Sequence, residues 1–396
     1  MIIKQLRKLH LKINQKKMSV FMLTYEKQKK ILSEYSEPTS MMERSFYQKK
    51  CQDKINGKIQ TILYDIISMI LFYPILLKLY IISDADNLQV NKADAVSLYD
   101  FDEKKLLPDS IKKEYRRIIY KDDISGCLDT TDIKFIKKII FKYPFSFYFL
   151  IKNTIRIAMY SRLIKLYNPK AIISYAEYSF TSSVLTEYCR TKGVKHINIM
   201  HGEKLYNIRD SFFEFDLFYV WDKHYVDLFR KLRANGNQFI LYSPECLTFR
   251  NSLIKKNIAN IVDFKYYLAH PGKRDLKIIA ESLRILSDKG YKIKVRPHPL
   301  LLDIDLILTY FNEDEIELAK DVTIEDSILN TNYVIAEYST VLNQGFNSLK
   351  EIVIDDVTNP DNYEKLRELH YIMINKPHIK LSEIIKSEIK FNVKTN

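Results

Sequence analysis

Short apolar runs alternate with amphipathic stretches through most of the chain after residue 170. Apolar runs of this length between turn residues are typical of strands in a parallel sheet. The stretches between them have helical spacing, and Gly193 and Gly290 follow two of them where a helix C-cap is expected. This alternation predicts a doubly wound α/β fold. The predicted strands cover residues 171–175, 194–200, 217–221 and 239–242, then 266–269, 291–295, 333–336 and 352–354.

The alternation is interrupted at residues 244–263, which have no clear periodicity. We therefore predict two Rossmann-like domains, residues 91–250 and residues 251–396, joined in this stretch. Residues 1–90 lack the alternation and are basic and helical in character. They predict a helical N-terminal region in front of the two domains.

The most apolar run of the chain covers residues 59–82. Asp65, Pro74 and Lys78 interrupt it. Its longest uncharged core is about 12 residues, against the roughly 20 that a membrane-spanning helix needs. We predict a buried helix pair here, with contact to a membrane surface as the alternative.

Charge and cysteine content narrow the possible partners and the compartment. The net charge is +13, and residues 1–30 hold nine Lys or Arg against one Glu, which suits nucleic acid, an anionic membrane or an acidic polymer. The chain has no recognisable nucleic-acid-binding motif, so we predict no nucleic-acid partner. Four widely spaced cysteines and no signal-peptide pattern indicate a cytoplasmic protein. Peripheral attachment at the inner face of the cell membrane is the alternative that the basic N-terminus leaves open.

Residues 291–299 form the first candidate site. The predicted strand stops at Pro297, which cannot donate to a sheet, and His298 and Pro299 follow it. Ligands bind beyond the carboxyl ends of strands in open α/β sheets. We predict that Arg296, His298 and Pro299 form an anion-binding loop; the alternative is a proline-ended turn with an incidental histidine.

A second candidate lies where the predicted strand 333–336 gives way to a helix. Ser339 and Thr340 open this helix, and a helix start offers free N–H groups and a favourable dipole to phosphate. The alternative is an ordinary N-cap. Glu337, just after the strand, is predicted to hold a ribose hydroxyl or a base edge, or else to be a salt-bridged surface acid.

The first domain carries two candidates of its own. Glu177 follows the strand 171–175, where a carboxylate is able to take a proton from an attacking hydroxyl; it is alternatively a helix-start acid favoured by the dipole. His201, Gly202 and Lys204 follow the strand 194–200 and are predicted to line the site, with His201 as a base or as a structural histidine.

The remaining candidates concern phosphate and metal. His270 and Gly272 follow the strand 266–269, where the second domain is expected to meet the donor phosphate. Asp303 and Asp305 form an acidic pair that we interpret as solvated acids, so no metal site is predicted. We expect a metal-independent reaction in which Arg and His side chains neutralise the leaving phosphate.

Together these motifs resemble the bacterial GT-B glycosyltransferases of surface polysaccharides. The pair His201–Gly202, the segment Arg296–Pro299 and the pair Ser339–Thr340 are similar to motifs of bacterial sialyl- and polysialyltransferases and capsule Kdo transferases. The CDP-glycerol phosphotransferases of teichoic acid synthesis share an RxHP-like segment and a DYSS-like segment, where this chain has Glu337-Tyr338-Ser339-Thr340. The resemblance covers residues 171–356.

The resemblance implies an inverting, metal-independent glycosyltransferase of GT-B fold whose two domains face a cleft. It implies that His298 protonates the departing phosphate, that Ser339 and Thr340 bind it, and that Glu177 is the general base. The sequence around Glu177 departs from the acidic-pair-plus-glycine motif of the sialyltransferases, so His201 stays open as the base.

The resemblance also implies the substrates. The donor is a nucleotide sugar, CMP-linked sialic acid or a related ulosonic acid, with no further cofactor. The acceptor is an anionic glycan or glycolipid of a capsule or other cell surface. The alternatives are a CDP-glycerol or CDP-ribitol phosphotransferase and a non-catalytic GT-B assembly partner.

Overall fold

The chain divides into two compact units, Met1–Ser243 and Pro244–Asn396. The computed structural model describes residues 23–85, 91–101, 103, 105–121, 125–249, 261–269, 271–299 and 303–387. Each unit holds one sheet in which every pair of neighbouring strands is parallel. The predicted α/β class with two Rossmann-like units is confirmed. The units divide at residue 243, slightly before the predicted boundary.

The sheet of the first unit has six strands in the order β2-β1-β3-β4-β5-β6. They are β1 (Ala95–Ser97), β2 (Ile118–Tyr120), β3 (Ala171–Ser174), β4 (Lys195–Ile199), β5 (Leu217–Val220) and β6 (Phe239–Leu241). The helices described in this unit are α1 (Tyr25–Ser33), α2 (Met41–Asn56), α3 (Lys58–Ala85), α4 (Asp109–Glu114), α5 (Thr130–Lys142), α6 (Phe147–Tyr167), α7 (Ser182–Thr191) and α8 (Lys223–Lys231).

The predicted helical N-terminal region is confirmed over α1–α3, and its helices belong to the same compact unit as the first sheet. The predicted buried helix pair is wrong. Residues 58–85 form one continuous helix with Pro74 inside it. Phe72 on one side is fully buried, whereas Ile59 is 87% and Ile70 66% exposed. Only a narrow stripe of α3 meets the unit, because the helix lies along its outside.

The core of the first unit forms where α6 and α7 pack against the sheet. Strand β3 is buried at every position, which is expected of a parallel strand covered on both faces. Gly126 allows a close approach to α6, since a Cβ built there would lie 2.6 Å from the Cβ of Ala158. Gly193 follows α7 with φ +70 and Gly290 follows α9 (Lys273–Asp288) with φ +88, the left-handed conformation predicted for both C-caps.

The sheet of the second unit has five strands in the order β11-β10-β9-β7-β8. They are β7 (Val262–Leu268), β8 (Ile293–Pro297), β9 (Thr331–Ala336), β10 (Glu351–Ile354) and β11 (Ile379–Lys380). After α9, the helices that the structure describes in this unit are α10 (Ile304–Leu308), α11 (Ile324–Leu329), α12 (Thr340–Asn347), α13 (Pro360–Glu368) and α14 (Leu381–Lys386). Strand β7 begins inside the stretch that was predicted to join the domains.

Topology places three of the predicted motifs side by side in the second unit. Strand β7 lies between β9 and β8 and is parallel to both, so their carboxyl ends share one edge. Neighbouring strands are about 4.8 Å apart. The loops after β9 and β8 therefore start about 10 Å from each other, with the loop after β7 between them.

Candidate functional site

A buried ion pair lies at the carboxyl edge of the first sheet. Glu177, in the loop after β3, is fully buried and forms an ion pair with the Lys204 Nζ atom. Asn198 of β4 donates from Nδ2 to Glu177 Oε2 at 2.9 Å and accepts from the Ala176 N–H at 2.7 Å. His201 Nδ1 is 3.9 Å from Glu177 Oε1. The structure thus brings together the three predicted residues Glu177, His201 and Lys204.

These contacts set which group is able to accept a proton. Burial raises the pKa of Glu177, but the charge of Lys204 and the hydrogen bond from Asn198 outweigh it and lower this pKa to about 2. Burial and the charge of Lys204 lower the pKa of His201 to about 4 although the Glu177 carboxylate opposes them. His201 is therefore neutral near pH 7, and it is the stronger base of the two.

The solvent-accessible member of this cluster is His201. Its side chain is 30% exposed, whereas that of Glu177 is fully enclosed. The Nδ1 atom of His201 is buried, so the nitrogen left for a substrate is Nε2. The ring also lies 4.5 Å, between centroids, from that of Tyr175. The Glu177 carboxylate therefore lies on one side of the His201 ring, 3.9 Å from Nδ1 and beyond hydrogen-bond distance, and Tyr175 contacts the ring as well.

The N-terminal region holds the loop that carries Glu177. In α2, Gln48 donates from Nε2 to the Glu177 carbonyl at 2.7 Å and to the Arg209 carbonyl at 2.9 Å. Gln52, one turn later, donates to the Tyr178 carbonyl at 2.9 Å. Sequence patterns did not predict this contact, because the partners are far apart in the chain.

In the second unit, α12 opens at Ser339 and Thr340 as predicted, and Ser339 is its N-cap, which was the alternative to phosphate binding. Its Oγ accepts from the Val341 N–H at 3.2 Å, and Thr340 is the first helical residue. The Tyr371 hydroxyl donates to the Ser339 carbonyl at 3.0 Å and so anchors the turn. Both Ser339 and Thr340 are partly exposed. The start of α12 is thus accessible at the carboxyl end of β9.

His298 and Arg296, predicted to act together, point to different environments. His298 and Pro299 are exposed just beyond β8, and the His298 N–H donates to the Leu268 carbonyl at 3.0 Å. Arg296 is buried, with Nη1 2.8 Å from Glu317 Oε1 and Nη2 2.8 Å from the Val322 carbonyl. Its guanidinium is therefore engaged inside the unit, which differs from the predicted anion contact.

Glu317, the ion-pair partner of Arg296, also binds a buried lysine. Lys265 of β7 donates from Nζ to Glu317 Oε2 at 2.7 Å. Burial raises the pKa of Glu317, but Lys265 and Arg296 outweigh it and the net pKa lies below its usual value. Glu317 lies in a segment without regular structure, where a single Val295–Ile316 bridge is the only strand pairing described, so sequence reasoning missed it.

The other predicted residues of the second unit surround the same edge. Glu337 accepts from Asn362 Nδ2, and burial followed by repulsion from Asp355 and Asp275 raises its pKa. Gly272 is the N-cap of α9, and a Cβ there would meet no atom within 4 Å. Gly202, in the first unit, is equally open. His270 lies outside the described residues.

Among the residues that the structure describes, no group of three or more His, Cys, Asp or Glu side chains is arranged to hold a metal ion. The predicted pair Asp303–Asp305 lies at the start of α10, where Asp303 Oδ1 accepts from the Leu306 N–H at 3.2 Å. This contact is that of a helix cap.

No protein-family model matches the chain, and no curated protein matches it. Solved structures with some likeness include the wall teichoic acid polymerase TagF (12% identity, TM-score 0.43, covering 83% of this chain and 89% of that one). Two others are S. aureus MnaA with UDP (12%, 0.42, 75% and 89%) and the glycotransferase of kitacinnamycin (9%, 0.43, 76% and 92%). At such identities and TM-scores, these likenesses carry no argument about activity.

Proposed function

We propose that the protein is a nucleotide-sugar-dependent glycosyltransferase that extends a bacterial cell-surface glycan. The observation that carries this proposal is His201, a neutral and partly exposed histidine over a buried carboxylate, at the carboxyl edge of the first sheet. That is a general base positioned where α/β sheets bind ligands. We further propose an inverting, metal-independent reaction with a CMP-linked sialic acid or related ulosonic acid as donor.

The proposed step forms one bond and breaks one. The acceptor hydroxyl oxygen attacks the anomeric carbon of the donor sugar while the bond from that carbon to the phosphate oxygen breaks. His201 Nε2 takes the proton of the hydroxyl. We propose that Ser339 and Thr340 bind the leaving phosphate and that His298 supplies it with a proton.

In this proposal Glu177 and Lys204 position His201 instead of reacting. A carboxylate with a pKa of about 2 is a weak proton acceptor at neutral pH, and its enclosure keeps substrate away. Its charge faces Nδ1 of His201 and so stabilises the imidazolium that forms in the transition state. Of the two bases that the motifs left open, we therefore propose His201.

A panel of labelled donors tests the proposal on the purified full-length chain. CMP-sialic acid, UDP-N-acetylglucosamine and CDP-glycerol are each supplied with a glycan acceptor, with and without EDTA, and the product is identified by mass. We expect sugar transfer that persists in EDTA. Transfer of glycerol phosphate from CDP-glycerol would instead establish a phosphotransferase, and no transfer from any donor would refute both.

A pair of histidine variants tests whether His298 acts in catalysis. His298→Ala should lower kcat by roughly 100-fold, as loss of a leaving-group stabiliser does. The matched control is His378→Ala in the same unit, because His378 precedes β11 and pairs with the Tyr363 hydroxyl at 2.8 Å. Equal effects of both substitutions would contradict the role of His298, and wild-type synthesis by His298→Ala would favour a non-catalytic protein.

We also propose that α3 lies on the cytoplasmic face of an anionic membrane. By length and composition α3 is able to cross a membrane over Lys58–Ile81, but it is tied to its unit along one side. The Leu79 carbonyl accepts from Leu128 and the Asp65 carboxylate accepts from Tyr148, at 3.0 and 2.9 Å. A helix held this way suits the bilayer interface rather than the interior.

The net charge of the chain supports an anionic lipid surface as the partner of α3. The chain has a net charge of +13, with nine Lys or Arg in its first 30 residues, and basic segments bind anionic lipid by about 1 kcal/mol per residue. Sedimentation with phosphatidylcholine vesicles, with and without phosphatidylglycerol, tests this. Ile70→Glu should release the protein from anionic vesicles, whereas Leu349→Glu, on the exposed surface of the other unit, should not.

A further inference from the structure

A cavity of about 550 Å³ opens at the carboxyl ends of β1 and β3 in the first unit. Its wall is rich in tyrosine rings, and two cations of α6, Lys152 and Arg156, line it as well. No acidic side chain is among the described residues of the wall. Neither Lys152 nor Arg156 forms an ion pair within the part of the chain that the structure describes.

The two cations stand one helical turn apart, so they share one face of α6 and repel each other. Burial and the charge of Arg156 lower the pKa of Lys152. An anion bound between them would remove the repulsion and replace the lost solvation. The arrangement therefore favours a ligand with a negatively charged group.

The rest of the wall suits a sugar. Tyr99 and Tyr175 lie edge to face with ring centroids 4.7 Å apart, and Tyr178 is near Tyr175 at 6.3 Å. Tyrosine rings offer apolar faces for the C–H side of a sugar ring and hydroxyls for its polar edge. Gln52 and Ser179 add further hydrogen-bonding groups to the wall.

The cavity borders the proposed base. Tyr175 lines it and also contacts the His201 ring, with 4.5 Å between centroids. Ala176 and Tyr178, on either side of Glu177 in the chain, line it too. A ligand in the cavity is therefore separated from His201 by the Tyr175 ring, which contacts both.

We propose that this cavity is the acceptor subsite, in which Lys152 and Arg156 bind a carboxylate or phosphate of an anionic glycan whose ring packs on the tyrosines. The proposal rests on the proposed function for the word acceptor, but the binding it predicts does not depend on catalysis. The acceptor is thus predicted to be an anionic glycan, and Lys152 and Arg156 are the residues predicted to bind its charged group.

Binding to the full-length protein, measured by titration calorimetry without donor, tests this subsite. The probes are sialyllactose for a carboxylate, a glycerol phosphate oligomer for a phosphate, and lactose as the uncharged reference. At least one anionic probe should bind at least tenfold tighter than lactose, as charge-assisted hydrogen bonds provide. The probe that shows the preference identifies the anion. Equal affinities for all three would overturn the proposal.

Substitutions test whether Lys152 and Arg156 cause the tighter binding of the anionic probe. The double variant Lys152→Met/Arg156→Met should lose the tenfold preference while its affinity for lactose is retained. The matched control is Lys134→Met/Lys138→Met, a pair of the same spacing and charge on the exposed face of α5 and outside the cavity wall. A preference that survives the first double variant, or is lost in the control as well, would refute the site.

Arg156→Gln keeps the test decisive if the double variant does not fold, because Arg156 is exposed and its replacement disturbs no core. The single variant should reduce the anionic preference severalfold, and Lys152→Arg should keep it. If no labelled donor is transferred, tighter binding of an anionic probe would still support the anion-binding cavity. Sugar transfer without any anionic preference would refute the subsite and leave the glycosyltransferase.

Discussion

Replacement of the buried carboxylate by Glu177→Gln gives the sharpest test of the site's electrostatics. Glu177 is fully enclosed and faces Lys204, which is buried as well. The substitution keeps the shape and the hydrogen bond from Asn198 but leaves the lysine without its counter-charge. Loss of one member of a buried pair is strongly destabilising, because the remaining charge stays desolvated.

The pKa of Glu177 gives the magnitude. It is about 2 in the folded protein against an ordinary value of 4.5, and at 1.36 kcal/mol for each pKa unit this difference amounts to about 3 kcal/mol of stability. Because the folded pKa is the lower one, the contribution is complete above pH 4.5 and falls as the pH drops toward 2. At pH 3.5 about 2 kcal/mol of it should remain.

Urea unfolding of the wild type and Glu177→Gln, at pH 7 and at pH 3.5, measures this contribution. The wild type should exceed the variant by about 3 kcal/mol at pH 7 and by about 1 kcal/mol less at pH 3.5. The control is Glu281→Gln, whose carboxylate makes an exposed pair with Lys277 and should change stability by less than about 1 kcal/mol. A difference that grows as the pH falls, or is absent at pH 7, would contradict a stabilising ion pair between Glu177 and Lys204.

Three further predictions follow from contacts of single residues. Arg296→Met should lower the free energy of unfolding, measured in urea, by about 3 kcal/mol because it leaves Glu317 with one of its two buried cations. Weaker nucleotide binding at unchanged stability would instead support the predicted role of Arg296 in anion binding. Gly126→Ala should cost about 1–3 kcal/mol by overpacking against Ala158, whereas Gly202→Ala, which meets no atom within 4 Å, should change thermal stability by less than about 0.5 kcal/mol. The acid limb of the pH profile of kcat/KM should lie near the pKa of His201, about 4; an acid limb near pH 7 would exclude this histidine as the base.

The α/β fold could be predicted because each strand of the sheet interior is a short apolar run. Strands β3 and β9 are buried almost throughout, so their pattern is continuous. Strands β2 and β11 were not predicted. They have three and two residues and lie at sheet edges, where pairing rather than side-chain pattern defines a strand.

Burial was predicted less well than secondary structure. The apolar residues of α3 were assigned to a core, yet most of them face outward, because a hydrophobic pattern does not say what covers each face. The orientation of Arg296 depends on Glu317, 21 positions later in the chain. The motifs therefore located the candidate sites, while tertiary contacts decided which of their side chains are accessible. The predicted cleft between the two units stays a prediction.

The two glutamines of α2 have a consequence for the order in which the protein matures. Gln48 is synthesised before its carbonyl partners, which lie 129 and 161 positions later in the chain. Contacts at such separations form late because closing long loops costs entropy. At ribosomal speed, α3 is complete about 10 s before β4 exists. Until α6 (Phe147–Tyr167) is made, part-way through that interval, the most apolar helix of the chain lacks the helix that packs against it. Its apolar residues are therefore exposed before their own core exists.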